Sequence, residues 1–415
     1  MLKVLYPGFR RYTSLAVLGP VVDGFSTWLV NQQYAPGYIR RQIWLLPHIE
    51  AVLIRRGVTS LSEIRDSDWK ACRKRLLKRF PYLTDSTGAL EKYLHAQNLL
   101  TSEPDITSTT HAWLAEYARY LEKVRGAASC TIRQNSYTAS EFLQHLDIEN
   151  HPERAESLKS KDLEVFLKKV SRRFTRRSLR QITVRLRCFV RFLAQSGKIP
   201  HKLDGFIDTP RVYRDEELPG TLPWKTVQKL LRSIDQSSLQ GLRDFTMFLL
   251  MACYGLRASD VVALTLDDVQ WRARKISISQ SKTGTLLELP LTDTVGAALC
   301  RYLRKSARPA TFRHIFLRGK APIGPLKTTA LSTAFRKWAD RAGVTISGRG
   351  SCHRIRHSYA VSLLRREIPL KTIGDILGHR APQSTGTYLR LALEDLRDVG
   401  LPVPAEFPLH KAVRA

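Results

Sequence analysis

Residues Ser351 to Tyr388 read SCHRIRHSYAVSLLRREIPLKTIGDILGHRAPQSTGTY, a stretch that packs His353, Arg356, His357, His379 and Tyr388 into fewer than forty positions. Between them Ile355, Tyr359, Val361, Leu363, Leu364, Ile373, Ile376 and Leu377 recur at helical spacing. That pattern predicts two or three amphipathic helices, broken at Pro369 and Gly378. Residues three apart on a helix share a face, so His353 and Arg356 are expected side by side. A phosphoryl group in transit needs fixed cations, a proton acceptor and a nucleophile, and guanidinium, imidazole and phenol supply these in turn. The stretch therefore predicts a site that breaks and remakes phosphodiesters.

Charge points the same way. Sixty-seven Lys and Arg against 37 Asp and Glu leave the 415-residue chain at +30, which favours a polyanionic partner. Arg outnumbers Lys, as suits forked contacts to phosphate. The hydrophobic fraction of 43% is that of a globular protein, and the length allows two or three domains. Cys72, Cys130, Cys188, Cys253, Cys300 and Cys352 are scattered without a CxxC, which argues against a zinc site and a disulfide framework. No apolar run approaches the ~20 residues of a membrane span. Arg10-Arg11 and Ser14 to Val22 have the outline of a signal peptide, but Gly19, Pro20 and Asp23 interrupt it. The expectation is a cytoplasmic, nucleoid-associated protein with reduced thiols. There is no GxxxxGK[ST] loop and no carboxylate set with metal spacing, so neither cofactor nor metal is expected.

The chain divides by pattern into four parts. Residues 1–100 form a helical region, with one helix expected from Leu61 to Leu77 and a basic face of Lys70, Arg73, Lys74, Arg75, Lys78 and Arg79. It is an accessory region whose partner is either DNA or protein. Residues 105–205 form a helical bundle in which Lys168 to Arg191 carries ten basic residues and no acid. Leu179, Ile182, Leu186, Phe189, Val190 and Leu193 share one helical face there, leaving the arginines on the other. Acids would be interspersed for i,i+4 pairing on a merely solvated helix. Arg172, Arg173, Arg176, Arg177, Arg180 and Arg187 are thus the candidate DNA contacts. Residues 206–221 read as a linker. From 222 to 415 helices return, around a hairpin whose strands are Lys275 to Ser279 and Leu287 to Leu291, with Ser281-Lys282-Thr283-Gly284 as the turn. Tyr254-Gly255-Leu256-Arg257 reads as a helix stop with Gly255 left-handed.

ACYGLRASDVVALTLDDV, the hairpin Lys282, HRIRH, LGH and a tyrosine nine residues beyond His379 together resemble the tyrosine recombinases, the phage-integrase and Xer-like enzymes. The resemblance covers residues 222–400 closely and 105–205 at the level of pattern, while 1–100 lie outside it. It implies a mainly α fold with a small β-sheet: a SAM-like helical core-binding domain followed by a mixed α/β catalytic domain. It implies Arg257 and Arg356 as the catalytic arginines, Lys282 as proton donor to the leaving 5′ oxygen, and His353 as proton acceptor. It further implies His379 as a ligand of the phosphoryl oxygens and Tyr388 as nucleophile. Asp260 and His357 take supporting roles. The implied reaction is site-specific recombination through a 3′-phosphotyrosyl link and a Holliday junction. Double-stranded DNA is the implied partner, four protomers assemble on paired sites, and companion recombinases or accessory proteins have a place beside them. The extra N-terminal region suggests a mobile element, by integration, excision or transposition. A type IB topoisomerase-like relaxing activity, or a DNA-binding accessory protein that does not cleave, would use the same fold.

Overall fold

The computed structural model describes residues 8–81, 87–100, 108–199, 203–213, 220–282, 284–306, 308–309, 311–346, 351–379 and 381–389. They fall into two compact units: Met1–Ala51, Phe80–Tyr93 and Glu217–Ala415 in one, Val52–Arg79 and Leu94–Glu216 in the other.

The chain begins with α1 (Arg10–Thr13), α2 (Val22–Asn31), α3 (Pro36–Arg55), α4 (Asp66–Arg79) and α5 (Gly88–Ala96). In the first unit the buried carboxylate of Glu50 accepts the Val17 and Leu18 amides at 2.8 and 3.0 Å, satisfying backbone donors in an apolar setting. The single helix expected from Leu61 to Leu77 is in fact two elements. Leu61–Glu63 is a 3₁₀ turn closed by a capping box between Ser60 and Glu63, and Ile64 is extended. Asp68 then accepts the Arg65 amide at 2.9 Å and starts α4 afresh. Capping chemistry overrides the apolar period here.

In the second unit α6 (Thr109–Lys123), α7 (Ser129–Leu146), α8 (Ser160–Ser171) and α9 (Arg176–Gln195) close on a core that includes Tyr117, Phe142, Phe166 and Phe189. The hydroxyls of Ser108 and Thr175 cap α6 and α9 by accepting the His111 and Ser178 amides. The basic run from Lys168 spans the end of α8, the turn and α9.

The site is built in the first unit, on α10 (Trp224–Arg232), α11 (Leu239–Tyr254), α12 (Ala258–Ala263), strands β1 (Val269–Gln270), β2 (Lys275–Ser279) and β3 (Leu286–Pro290), then α13 (Asp293–Lys305), α14 (Thr328–Arg341), α15 (His353–Leu364), α16 (Leu370–Leu377) and α17 (Pro382–Gly386). The sheet runs β1-β2-β3, antiparallel throughout, with Ile276 opposite Leu289 and Ser279 opposite Leu286. Alternation in KISIS sends Ile276 and Ile278 into the core. Helix α11 is buried nearly all round, and with α14 it contributes Phe248, Phe335 and Trp338 to that core. Its one charged pair, Arg243–Asp244, is held at 2.9 Å, and Asp244 also accepts the Trp338 indole at 3.0 Å. The tail positions Leu391, Leu393, Leu396, Pro402 and Pro404 lie outside the described residues, as does Thr283 of the hairpin. Among the described residues no helix is long and apolar enough to cross a membrane.

Candidate active site

Helix α11 ends at Gly255, whose φ of +61° puts it in the left-handed region. A Cβ there would collide with Leu377 and Tyr359, so only glycine lets the chain turn against α15 and α16. The turn delivers Arg257 at the N-cap of α12. Its Nη1 donates to Gln280 Oε1 at 2.7 Å and lies 3.7 Å from Asp260 Oδ2. Asp260 is buried, and its other oxygen accepts the Ser281 amide at 3.3 Å and the Ser281 hydroxyl at 3.0 Å. One carboxylate therefore stands between Arg257 and the loop that carries Lys282. That loop is closed by Gln280 N–H to Thr285 O at 2.9 Å and Gly284 N–H to Gln280 O at 2.7 Å, leaving Lys282 exposed at its tip.

Helix α15 supplies the second group. Arg356 is 3% exposed and is held from both sides: Nη1 donates to Gly255 O at 2.6 Å, Nη2 to Leu377 O at 2.8 Å. Burial, and then the Arg257 cation, lower its pKa to about 10, so it stays charged at neutral pH. Nη2 also lies 3.1 Å from His379 Nε2. A guanidinium only donates, so Nε2 is the acceptor, and His379 Nδ1–H donates to Thr385 Oγ1 at 2.8 Å. Burial first, then Arg356 and Arg257, push His379 down to about 4, which keeps it neutral.

Tyr388 is 3% exposed, packed with Val361, Ile373 and Leu377, and its ring stacks on His379 at 6.2 Å. Its Oη is 3.2 Å from His357 Nδ1. His357 is lowered to about 4, by burial first and then by His353 and Arg356, so its neutral ring can accept the phenolic proton. Burial raises the Tyr388 pKa against the opposing pull of Arg356 and Arg257, so the phenol keeps its proton. His353 is exposed at the start of α15, its ring 6.0 Å from that of His357. Desolvation, and then Arg356, Arg257 and Lys282, lower its pKa. The structure thus brings Arg257, Asp260, Arg356, His357, His379 and Tyr388 together, with Lys282 and His353 within electrostatic reach. The imidazole touching the phenol belongs to His357. Gln280, Ser281 and Thr385 also belong to this constellation, and no motif in the sequence marks them.

In the second unit Arg172, Arg173, Arg176, Arg177 and Arg180 are exposed. Arg173 pairs with Glu141, and Arg180 donates to Val212 O at 3.2 Å. Arg187 is half-buried and donates to Asp204 O at 3.2 Å, to Ile207 O and to Thr209 Oγ1 at 2.8 Å. It fastens the segment that follows the bundle.

Residues 221–394 match the phage integrase family. The Sinorhizobium fredii protein y4rA, named as an integrase/recombinase, is 31% identical over 94% of this chain and 96% of its own length. The Lacticaseibacillus casei tyrosine recombinase XerD is 28% identical over 69% of this chain and 96% of its own. A lambda integrase tetramer bound to a Holliday junction superposes with a TM-score of 0.52, at 18% identity, over 73% of this chain and 85% of that one.

Proposed function

The chain belongs to the phage integrase family of tyrosine recombinases, enzymes that cleave and transfer DNA strands, and from that membership we propose the following course for its reaction. A duplex binds between the bundle of residues 105–205 and the catalytic residues 222–415, with 206–221 as linker and 1–100 as an accessory region for DNA or protein. Arg257 and Arg356 each direct forked donors at the non-bridging oxygens of one phosphodiester, where negative charge grows in the transition state. Tyr388 Oη attacks phosphorus, and the P–O5′ bond breaks. The product is a 3′-phosphotyrosyl ester and a 5′ hydroxyl that takes its proton from Lys282.

The phenolic proton leaves through the imidazoles of α15. His357 holds the phenol before cleavage, and His353, the family's acceptor by position, receives the proton as the phosphate enters the site. His379 turns from Arg356 toward the phosphoryl oxygens at the same moment. The phosphotyrosyl ester conserves the energy of the broken bond, so the 5′ hydroxyl of a partner strand can reverse the step without a nucleotide. Four protomers exchanging strands in pairs through a Holliday junction would complete recombination, in the service of a mobile element.

The observation that carries this reading is the cluster in which Arg356, hydrogen-bonded to His379, lies beside a buried tyrosine that is itself hydrogen-bonded to an imidazole. The test is to incubate the protein with a library of nicked duplexes, denature it, and sequence any DNA that stays covalently attached. A recurrent site is expected for wild type and no adduct for Tyr388→Phe. Absence of adducts with wild type would refute cleavage. Adducts without a recurrent sequence, together with relaxation of any supercoiled plasmid, would make the protein topoisomerase-like instead.

A further inference from the structure

Gln280 has no role in the chemistry above, yet three parts of the site meet on it. It is fully buried at the end of β2, two residues before Lys282. Its Oε1 accepts from Arg257 Nη1 at 2.7 Å, and its Nε2 donates to Leu377 O at 3.1 Å. That carbonyl is the same one that accepts from Arg356 Nη2 at 2.8 Å. Gly378, with φ of +64°, lies directly against the amide, and a Cβ there would overlap it. The side-chain amide therefore faces an arginine, which only donates, and a carbonyl, which only accepts. Only a group that does both satisfies the pair, which also fixes which end of the amide is oxygen.

We propose that Gln280 is a positioning residue for cleavage: it holds the Arg257 guanidinium in its phosphate-clamping orientation and locks the Lys282 loop in register with the turn that carries Arg356's carbonyl partner and His379. Resting on the assignment of Arg257 as a phosphate clamp, it explains why a fully buried polar side chain stands at the base of an exposed catalytic loop. Leucine at this position would leave Arg257 to find another acceptor and Leu377 O with Arg356 alone. The lost preorganisation appears in the rate of the chemical step and not in DNA affinity, which the exposed basic surface supplies.

The experiment measures single-turnover cleavage and equilibrium binding of a nicked duplex that carries the site mapped from trapped adducts, using the full chain. Gln280→Leu is expected to slow cleavage roughly ten- to hundredfold while Kd stays within about twofold. In the Arg257→Ala background the same change should cost distinctly less than its full factor, because the part exerted through the arginine is already gone and only the tie between the Lys282 loop and Leu377 O remains to be lost. Gln280→Glu, of the same size, serves as a second variant should the leucine variant fail to fold. Its carboxylate can accept from Arg257 but cannot donate to Leu377 O, whereas its neutral acid form does both. Its rate relative to wild type should therefore rise as pH falls. Cleavage by Gln280→Leu within about twofold of wild type would overturn the proposal. So would a full multiplicative loss in the Arg257→Ala background, or a pH-independent ratio for Gln280→Glu. Failure of wild type itself to form an adduct would instead sink the functional reading, and this proposal with it.

Discussion

Arg356→Ala and Tyr388→Phe should be indistinguishable in chemistry and far apart in stability. Arg356 is 3% exposed and bridges Gly255 O at 2.6 Å to Leu377 O at 2.8 Å, joining the end of α11 to the end of α16. Truncation strips the Gly255 carbonyl of its side-chain donor, at about 1–3 kcal/mol for a buried group left unpaired. It weakens Leu377 O, which keeps Gln280, by roughly half as much. The emptied volume adds ~1 kcal/mol, and relief from desolvating a buried cation returns part of the total. The net loss is about 3 kcal/mol. Tyr388→Phe removes only the hydroxyl, with its hydrogen bond to His357 and its weaker interaction with Arg356, at about 1 kcal/mol. At ~2–4 °C per kcal/mol for a unit of this size, melting should fall by roughly 6–12 °C for the first variant and 2–4 °C for the second. The assay is thermal and urea unfolding of the full chain, run beside adduct capture. Equal melting temperatures would refute the claim that Arg356 is a structural tie as well as a phosphate ligand.

Further outcomes follow from the same geometry. His357 and His379 are held near 4, below their ordinary value, so they are neutral when folded and take up protons only on unfolding as pH drops. Stability should be fully present above about pH 6.5 and decline toward pH 4, and His379→Gln should flatten that decline in melts across the range. Arg172→Ala should lower the salt slope of DNA binding by about 0.9, the signature of one phosphate contact, with an unchanged melting temperature. Arg187→Ala should do the reverse: its guanidinium serves Asp204, Ile207 and Thr209, so the variant should lose about 1.5–3 kcal/mol in urea unfolding and leave the salt slope alone. Gly378→Ala should reduce cleavage and stability together, because its φ of +64° and the abutting Gln280 amide both resist a side chain.

What the sequence disclosed was chemistry carried by residue type at fixed spacing. Gly255 reads as a helix stop because the left-handed turn demands a residue without a Cβ, and the structure has it at φ +61°. The two strands of the hairpin announce themselves by alternation, to within one residue of their ends. Gln280 was silent because its importance arises from Leu377, 97 positions away, and no local pattern encodes that meeting. The hint that existed lies in Gly378, a glycine that stops a helix and must also make room for a neighbour. His357 and His353 share one helix four residues apart, and periodicity alone could not say which ring faces the phenol. The helix expected through Leu61 to Leu77 failed because Glu63 and Asp68 each cap a separate element. A basic run, finally, reveals its sign but not its partners: Arg172 and Arg187 look alike in sequence, and only one of them is exposed.

The seclusion of Tyr388 has a consequence for how such a molecule can live beside a genome. A chain at +30 is expected to associate loosely with duplex DNA of any sequence. With Tyr388 as the proposed nucleophile, a phenol 3% exposed and still carrying its proton would leave those encounters chemically idle. On the proposed mechanism, fidelity would reside less in where the protein lands than in what uncovers Tyr388.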